Sequence, residues 1–355
     1  MTDPETRAPI AWPAVLTALL HGEDLDESRA ADVLTEVMQG GAEPAQIAAL
    51  LLALRAKGES ASEIAGFVRV MMAEAAPITL QPATADRVVD IVGTGGDGAN
   101  TSNISTVAAV VVAATGQPVA KHGNRAASSA CGSADLLEAW GIDLDLPPAD
   151  VARCIEEAGI GFLFARTFHP AMRVVAPVRQ QLGIRTTFNL LGPLSNPAGA
   201  PSMAVGVADA RLAPVMADAL ARLGKRHVLV FRGADGLDEL STTGPSDLWE
   251  VRDGQVTQST LDPRDLGIEL ATLEQLRGGD VARNVAIADA ILAGEPGPHR
   301  DIVVLNAAAG LYAADAVDGF AAGVQRATET IDSGAAAALK DRWVARSNEL
   351  AASHG

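Results

Sequence analysis

The chain has 355 residues and a formal net charge of −17 at pH 7, with 48% hydrophobic and only 3% aromatic residues. This content excludes a disordered chain, the length suits two domains, and the acidic balance disfavours non-specific nucleic-acid binding. Two cysteines, Cys131 and Cys154, lack CxxC or zinc-ligand spacing, which argues against a disulfide framework and suits a reducing cytoplasm.

Met1 to Arg7 has no apolar core of the kind a secretion signal needs. The longest apolar stretch, around Val107 to Ala114, is too short to span a bilayer. The first eighty or so residues read as helices only. Pro44 opens an Ala/Leu-rich run that Gly58 stops. Ser60 and Glu63 have capping-box spacing before Ile64, Phe67, Val68 and Met71.

From Arg87 onward short β-branched runs alternate with Ala-rich helical segments. The expected strands are 88–92, 118–121, 161–164, 203–207, 227–231 and 301–305. Helices between strands require crossovers, so the sheet should be largely parallel. Asp253-Gly254 predicts a hairpin over 247–256. A helix is expected over 171–183, and two helices over 317–350, broken near Asp332-Ser333-Gly334. The fold class is therefore α/β: a small all-helical domain plus a larger α/β domain with a mainly parallel central sheet.

Two loops carry the chemistry. Gly93-Thr94-Gly95-Gly96-Asp97 follows the first strand, and Lys121-His122-Gly123-Asn124-Arg125 follows the second. No Asp or Glu lies between Asp97 and Asp135, which suggests a local anion site on an acidic protein. Glycines let backbone N–H groups approach phosphate oxygens closely. Gly93, Gly95 and Gly98 also fit G-x-G-x-x-G. A dinucleotide site is disfavoured, because no acid follows about 20 residues on to hold a ribose and Asp97 lies inside the loop. Asn103-Ile104-Ser105-Thr106 opens a helix, where hydroxyls and free N–H groups hold phosphate or simply cap the turn. Asp238-Glu239 is a paired acid of the kind that suits Mg²⁺, or a solvated turn. Gly278-Gly279-Asp280 reads as a helix cap. Arg179 suits a carboxylate or a helix neighbour.

Taken together, the chain resembles the anthranilate phosphoribosyltransferase family of tryptophan biosynthesis. The matching segments are Gly93–Asp97, Asn103–Thr106, KHGNRAASSACGSADLLEAWG (121–141), FHPAM (168–172), GIRTTFNLLGPLSNP (183–197), GLDE (236–239) and VLNAAAGLY (304–312). Nucleoside phosphorylases share the general architecture, but their Lys- and Ser-rich phosphate loop is not what Gly93–Asp97 spells.

The resemblance implies a helical domain over 8–82, with a returning helical segment near 170–190, and an α/β domain over 83–350 that binds phosphoribosyl pyrophosphate (PRPP). It implies a cleft between them, a homodimer, Mg²⁺ as cofactor and anthranilate as acceptor, with no nucleic-acid or membrane partner. Gly93, Gly96, Asp97, Thr101, Asn103, Ile104, Ser105, Thr106, Lys121, His122, Gly123, Asn124, Arg125, Ala126, Ala127, Ser128, Ser129 and Ser133 would surround PRPP. Ser105, Asp238 and Glu239 would hold Mg²⁺, and Gly93, Asn124, His169 and Arg179 would line the anthranilate path. No general base is implied. Arg166, Val174 and Trp140 depart from the family's usual residues, the first two near the acceptor side.

Overall fold

The computed structural model describes residues 9–126 and 130–353. Four helices come first: α1 (Trp12–Leu20), α2 (Glu27–Met38), α3 (Pro44–Lys57) and α4 (Ala61–Ala73). Each starts where a local signal puts it. Pro44 occupies the first turn of α3, and Gly58 ends it with φ of 90°. Ser60 and Glu63 exchange side-chain and backbone bonds in a capping box at α4. Asp26 caps α2 by accepting the Arg29 N–H at 2.7 Å. Asp26→Ala is expected to cost about 1 kcal/mol, read as a lower urea midpoint at unchanged slope.

A short turn of helix, α5 (Pro82–Ala85), leads into the sheet. The strands are β1 (Val89–Gly93), β2 (Val119–Gly123), β3 (Ile160–Phe164), β4 (Ser202–Gly206), β5 (His227–Gly233), β6 (Ser246–Arg252) and β7 (Gln255–Leu261). Their order is β3-β2-β1-β4-β5-β6-β7. The five strands β1 to β5 run parallel, and β6 and β7 add an antiparallel hairpin edge. Crossovers run through α6 (Ile104–Ala114), through α7 (Ser133–Ala139) with α8 (Pro148–Ala158), and through α12 (Leu212–Arg222). Between β3 and β4 the chain forms α9 (Ala165–Phe168), α10 (Ala176–Leu182) and α11 (Phe188–Leu194). After β7 come α13 (Val281–Leu292), α14 (Pro298–Ala313), α15 (Phe320–Asp332) and α16 (Ala335–Ala352).

Alternation along the strands sends side chains to two separate cores. Ile91, Ala204, Leu229, Phe231 and Leu248 join α6, α14 and α16 in the larger cluster. Val92, Met203, Val205, Val228, Val230, Trp249 and Val251 face α12, α4 and α11 in the second. That second cluster also holds the buried faces of α1 to α3, so the N-terminal helices and residues 175–194 form one helical layer. Both cysteines are buried, and neither is in a disulfide. Among the described residues no helix is long and apolar enough to cross a membrane.

Two expectations fail. Residues 301–305 are not a strand but lie inside α14, where Ile302 to Leu305 are all buried. A β-branched run buried on every side reads alike in either geometry. The helix expected over 171–183 is broken: a 3₁₀ turn at Pro170–Arg173 precedes α10, whose first turn holds Pro177. Asp238-Glu239 lies in the irregular loop 234–245, which runs from β5 into β6.

Candidate active site

The sheet reverses its winding at β1, which lies between β2 and β4. A crevice therefore opens beyond the carboxyl ends of these strands, the usual place for a ligand in an open α/β sheet. β1 ends at Gly93 and β4 ends beside it at Gly206. The 234–245 loop folds over both ends. A Cβ at Gly93 would fall 2.3 Å from Asp238 Oδ2, and one at Gly206 would fall 1.7 Å from the Asp238 carbonyl oxygen. Glycine at these two strand ends is what admits the acidic loop. Gly95 N–H then donates to Asp238 Oδ2 at 2.6 Å. Gly95, Gly96 and Gly98 take φ of 65°, 79° and 74°, curling the first loop into a concave turn.

The acid-free sequence window does not make an acid-free site. Asp238 is pushed up to about 7, chiefly by burial and then by the nearby Asp97. Glu239 rises well above its ordinary value for the same reason, with Asp238 as its main repelling neighbour. Glu239 also accepts the Ser105 N–H at the start of α6. Lys121 is the counter-charge. Its side chain is 1% exposed, and its Nζ donates to the Ile91 carbonyl at 2.7 Å with Ser105 Oγ at 3.4 Å. Burial lowers its pKa, while Asp90 and Glu239 oppose that shift. Lys121 thus lies under the floor rather than in the crevice as an exposed anion ligand.

His122 and His169 meet edge to face, with ring centroids 5.1 Å apart. Both are buried, and among the described residues the Nε2 atom of each lacks a hydrogen-bond partner. Burial, then His169, pushes His122 down to about 3, and burial lowers His169 as well. Both rings are therefore neutral at pH 7, so they offer hydrogen bonds rather than charge. The His122 N–H donates to Asp90 Oδ1 at 3.1 Å, which ties β2 to a buried carboxylate on β1.

The second loop is held by acids that follow the acid-free window. Arg125 Nη1 reaches Asp135 Oδ1 at 3.0 Å and Glu138 Oε2 at 2.8 Å. Its charge is thereby matched inside the chain. Thr106 Oγ1 donates to Ser133 Oγ at 3.0 Å, so the start of α6 and the start of α7 are joined. Asn103 occupies the N-cap position of α6 but its side chain does not cap the helix. Instead its Nδ2 donates to the Cys131 carbonyl and its Oδ1 accepts Asn284 Nδ2 at 3.0 Å. Thr101 bridges to Arg277, in the loop whose Asp280 caps α13. Ile104 is buried, Asn124 Oδ1 accepts the Arg125 N–H, and the Ala126 N–H donates to Asp135. Ala127, Ser128 and Ser129 lie outside the described residues.

Arg179 lies on α10, half-buried, with its guanidinium 5.6 Å from the Phe188 ring. Among the described residues it has no hydrogen-bond or ion-pair partner, and burial lowers its pKa. A desolvated, unpaired guanidinium is a strong attractor for a carboxylate.

Two residues outside the expected set also build the site. Asn284 braces Asn103 as described. Arg185, between α10 and α11, donates from Nη1 to the Gly95 carbonyl at 2.6 Å and from Nη2 to the Thr94 carbonyl at 3.1 Å. No local spacing signals either contact, since each partner is 90 or more positions away along the chain.

The donor set fits a hard divalent cation. Asp97, Asp238 and Glu239 are oxygen donors whose mutual repulsion lifts the buried pair, and a bound cation relieves such repulsion. Among the described residues no group of three or more His, Cys, Asp or Glu is arranged to hold a metal alone. A carboxylate set that supplies only part of a coordination shell suits Mg²⁺, which keeps waters and substrate phosphates among its ligands.

Residues 85–337 match the family described as "Glycosyl transferase family, a/b domain", and residues 13–75 match its "helical bundle domain". The chain is 54% identical over 340 residues to an anthranilate phosphoribosyltransferase from Arthrobacter sp. (strain FB24), covering 94% of this chain and 95% of that protein. It is similar to the crystal structure of anthranilate phosphoribosyltransferase from Thermus thermophilus, with a TM-score of 0.88, 48% identity, and 94% and 99% of the two chains covered. It is also similar to the enzyme from Saccharomyces cerevisiae in complex with PRPP and Mg, with a TM-score of 0.86, 27% identity, and 96% and 99% covered.

Proposed function

The chain belongs to the anthranilate phosphoribosyltransferase family, and from that premise we propose that its crevice performs the Mg²⁺-dependent transfer of the phosphoribosyl group to anthranilate. The amino nitrogen of anthranilate attacks C1 of PRPP, the C1–N bond forms, the C1–O bond to pyrophosphate breaks, and the nitrogen releases a proton. The observation that carries this reading is the seating of Asp238 directly over the glycine loop at the ends of β1 and β4, with Glu239 beside it at the start of α6.

The N–H groups of Gly93 to Asp97, the start of α6 from Asn103 to Thr106, Thr101, and the 121–129 loop with Ser133 surround the donor in this reading. Lys121 acts from beneath, offsetting the acids through charge. Mg²⁺, held by Asp238, Glu239 and Ser105, supplies charge neutralisation for the leaving pyrophosphate. Everything else falls to fixed donors that position the sugar and balance charge as it develops. An aryl amine is neutral at pH 7 and needs no base to free its lone pair. Two neutral, buried histidines beside the crevice accord with that demand. Arg179 takes the anthranilate carboxylate, with His169, Asn124 and Gly93 along its path.

The division of the chain follows the same reading: residues 8–82 with 170–190 supply the acceptor side, and 83–350 the donor side. The family's homodimer is carried over to this chain as part of the same reading. Light scattering at micromolar protein should give twice the chain mass.

The test of the reaction is loss of anthranilate fluorescence with purified protein, PRPP and Mg²⁺. Rapid loss that EDTA abolishes is the expected result. Undiminished fluorescence with PRPP still bound would keep the donor site and overturn the acceptor.

A further inference from the structure

We propose that Arg185 is a positioning residue that sets the direction of the donor-binding amides and couples them to the helical layer. The inference rests on the donor reading given above. It goes beyond it, because Arg185 acts through the loop and not on substrate.

The geometry begins with peptide planarity. Within one peptide unit the C=O and the next N–H point in opposite directions. Arg185 holds the carbonyls of Thr94 and Gly95 with its two terminal nitrogens. The N–H groups of Gly95 and Gly96 are thereby turned to the opposite side. That of Gly95 goes to Asp238. That of Gly96 has no partner among the described residues, so it remains an available donor. Arg185 fixes two peptide units at once through two nitrogens of one rigid planar fork, whereas an ammonium must share both carbonyls at a single nitrogen on a flexible stem. Gly96 is the other half of the fit: a Cβ there would fall 1.1 Å from Arg185 Nη1.

The base of Arg185 is itself anchored. Thr186 N–H donates to Asn189 Oδ1 at 2.9 Å, and Thr187 Oγ1 donates to Glu59 Oε1 at 2.9 Å. Glu59 is buried just after α3, in the helical layer. A continuous path therefore runs from Glu59 through Thr187 and Arg185 to the glycine loop. It joins the layer that carries Arg179 to the turn that faces the donor. With both guanidinium ends engaged on carbonyls, Arg185 orients the loop rather than serving as a loose cation for pyrophosphate.

The experiment is calorimetric titration of Mg²⁺ and PRPP into wild type, Arg185→Met and Arg185→Lys, with melting temperatures and steady-state constants for each. Both variants are expected to bind PRPP about tenfold or more weakly, the size of one lost charge-assisted contact. The KM for PRPP should rise in step while the KM for anthranilate moves little, a split that general loosening of the fold would not produce. Lysine keeps the charge but not the fork, so PRPP binding by Arg185→Lys at wild-type strength overturns the inference. Should Arg185→Met fail to fold, Arg185→Lys decides alone. Wild type that binds no PRPP overturns the donor reading and this inference with it, whereas wild type and variants binding alike overturn this inference only.

Discussion

Replacing Asp238 by Asn together with Glu239 by Gln is expected to lower turnover by about 10³-fold, the scale of losing prearranged charge stabilisation at a leaving group. The same double substitution should raise the melting temperature at pH 7. Both carboxylates are pushed up by burial and by acidic neighbours, so the fold works against their ionised forms. Neutral amides of the same shape remove that penalty. The sign follows from linkage: a carboxyl whose folded pKa lies above its unfolded value lowers stability above the unfolded pKa, fully so once pH exceeds the folded one. For Asp238, with an ordinary value of 3.8 and a folded value of about 7, wild type should gain stability relative to the double variant as pH falls between these values. Activity is read by loss of anthranilate fluorescence across a Mg²⁺ titration, and stability by thermal melts from pH 4 to 8. Full activity with unchanged Mg²⁺ dependence would remove the pair from the metal site. A fall in melting temperature would show the pair to be structural.

The second large effect is on the acceptor. Arg179→Ala should raise the KM for anthranilate by tens-fold or more, since a charge-assisted pair contributes about 1.5–3 kcal/mol. The KM for PRPP should stay within a factor of about two, because among the described residues Arg179 makes no polar contact with either loop. Phe188 loses its guanidinium neighbour in this variant, so a melt accompanies the assay. Arg179→Lys separates charge from shape, and recovery of less than half the loss would show that the planar fork matters. An unchanged anthranilate KM in Arg179→Ala would refute the carboxylate role.

Much of this architecture is legible in the sequence, and the parts that are not share one cause. The starts of α3 and α4, the hairpin turn at Asp253-Gly254 and the cap at Asp280 depend on residues within four positions of one another, and local reading finds them. Strands β1 to β5 are visible because short β-branched runs are bounded by glycine or helix signals. Residues 301–305 mislead because α14 is buried all round and shows no period. At the site, local motifs find both loops but misjudge their surroundings. An acid-free stretch from 98 to 134 implies an electropositive pocket, yet Asp238 and Glu239 enter from more than a hundred residues away. Lys121 reads as an anion ligand, and its alternation on β2 puts it in the floor. Asn103 reads as a cap and acts as a brace to Asn284. Arg185 lies within the 183–197 motif, but nothing local signals its contacts, because its partners are backbone carbonyls 90 and 91 positions away.

The mixed membership of the second core bears on how the chain is made. Helices α1 to α4 emerge first, but Val175, Val178, Phe188, Leu190, Leu191 and Leu194, which complete their packing, come about a hundred residues later. At synthesis rates of about 5–20 residues per second, that interval lasts roughly 5–20 s. During it the nascent helices present Leu50, Leu51, Phe67 and Met71 without their final neighbours. The ribosome therefore exposes a sticky, half-built bundle, and a chaperone that shelters amphipathic helices should engage the chain before β4 is translated and release it soon after α12.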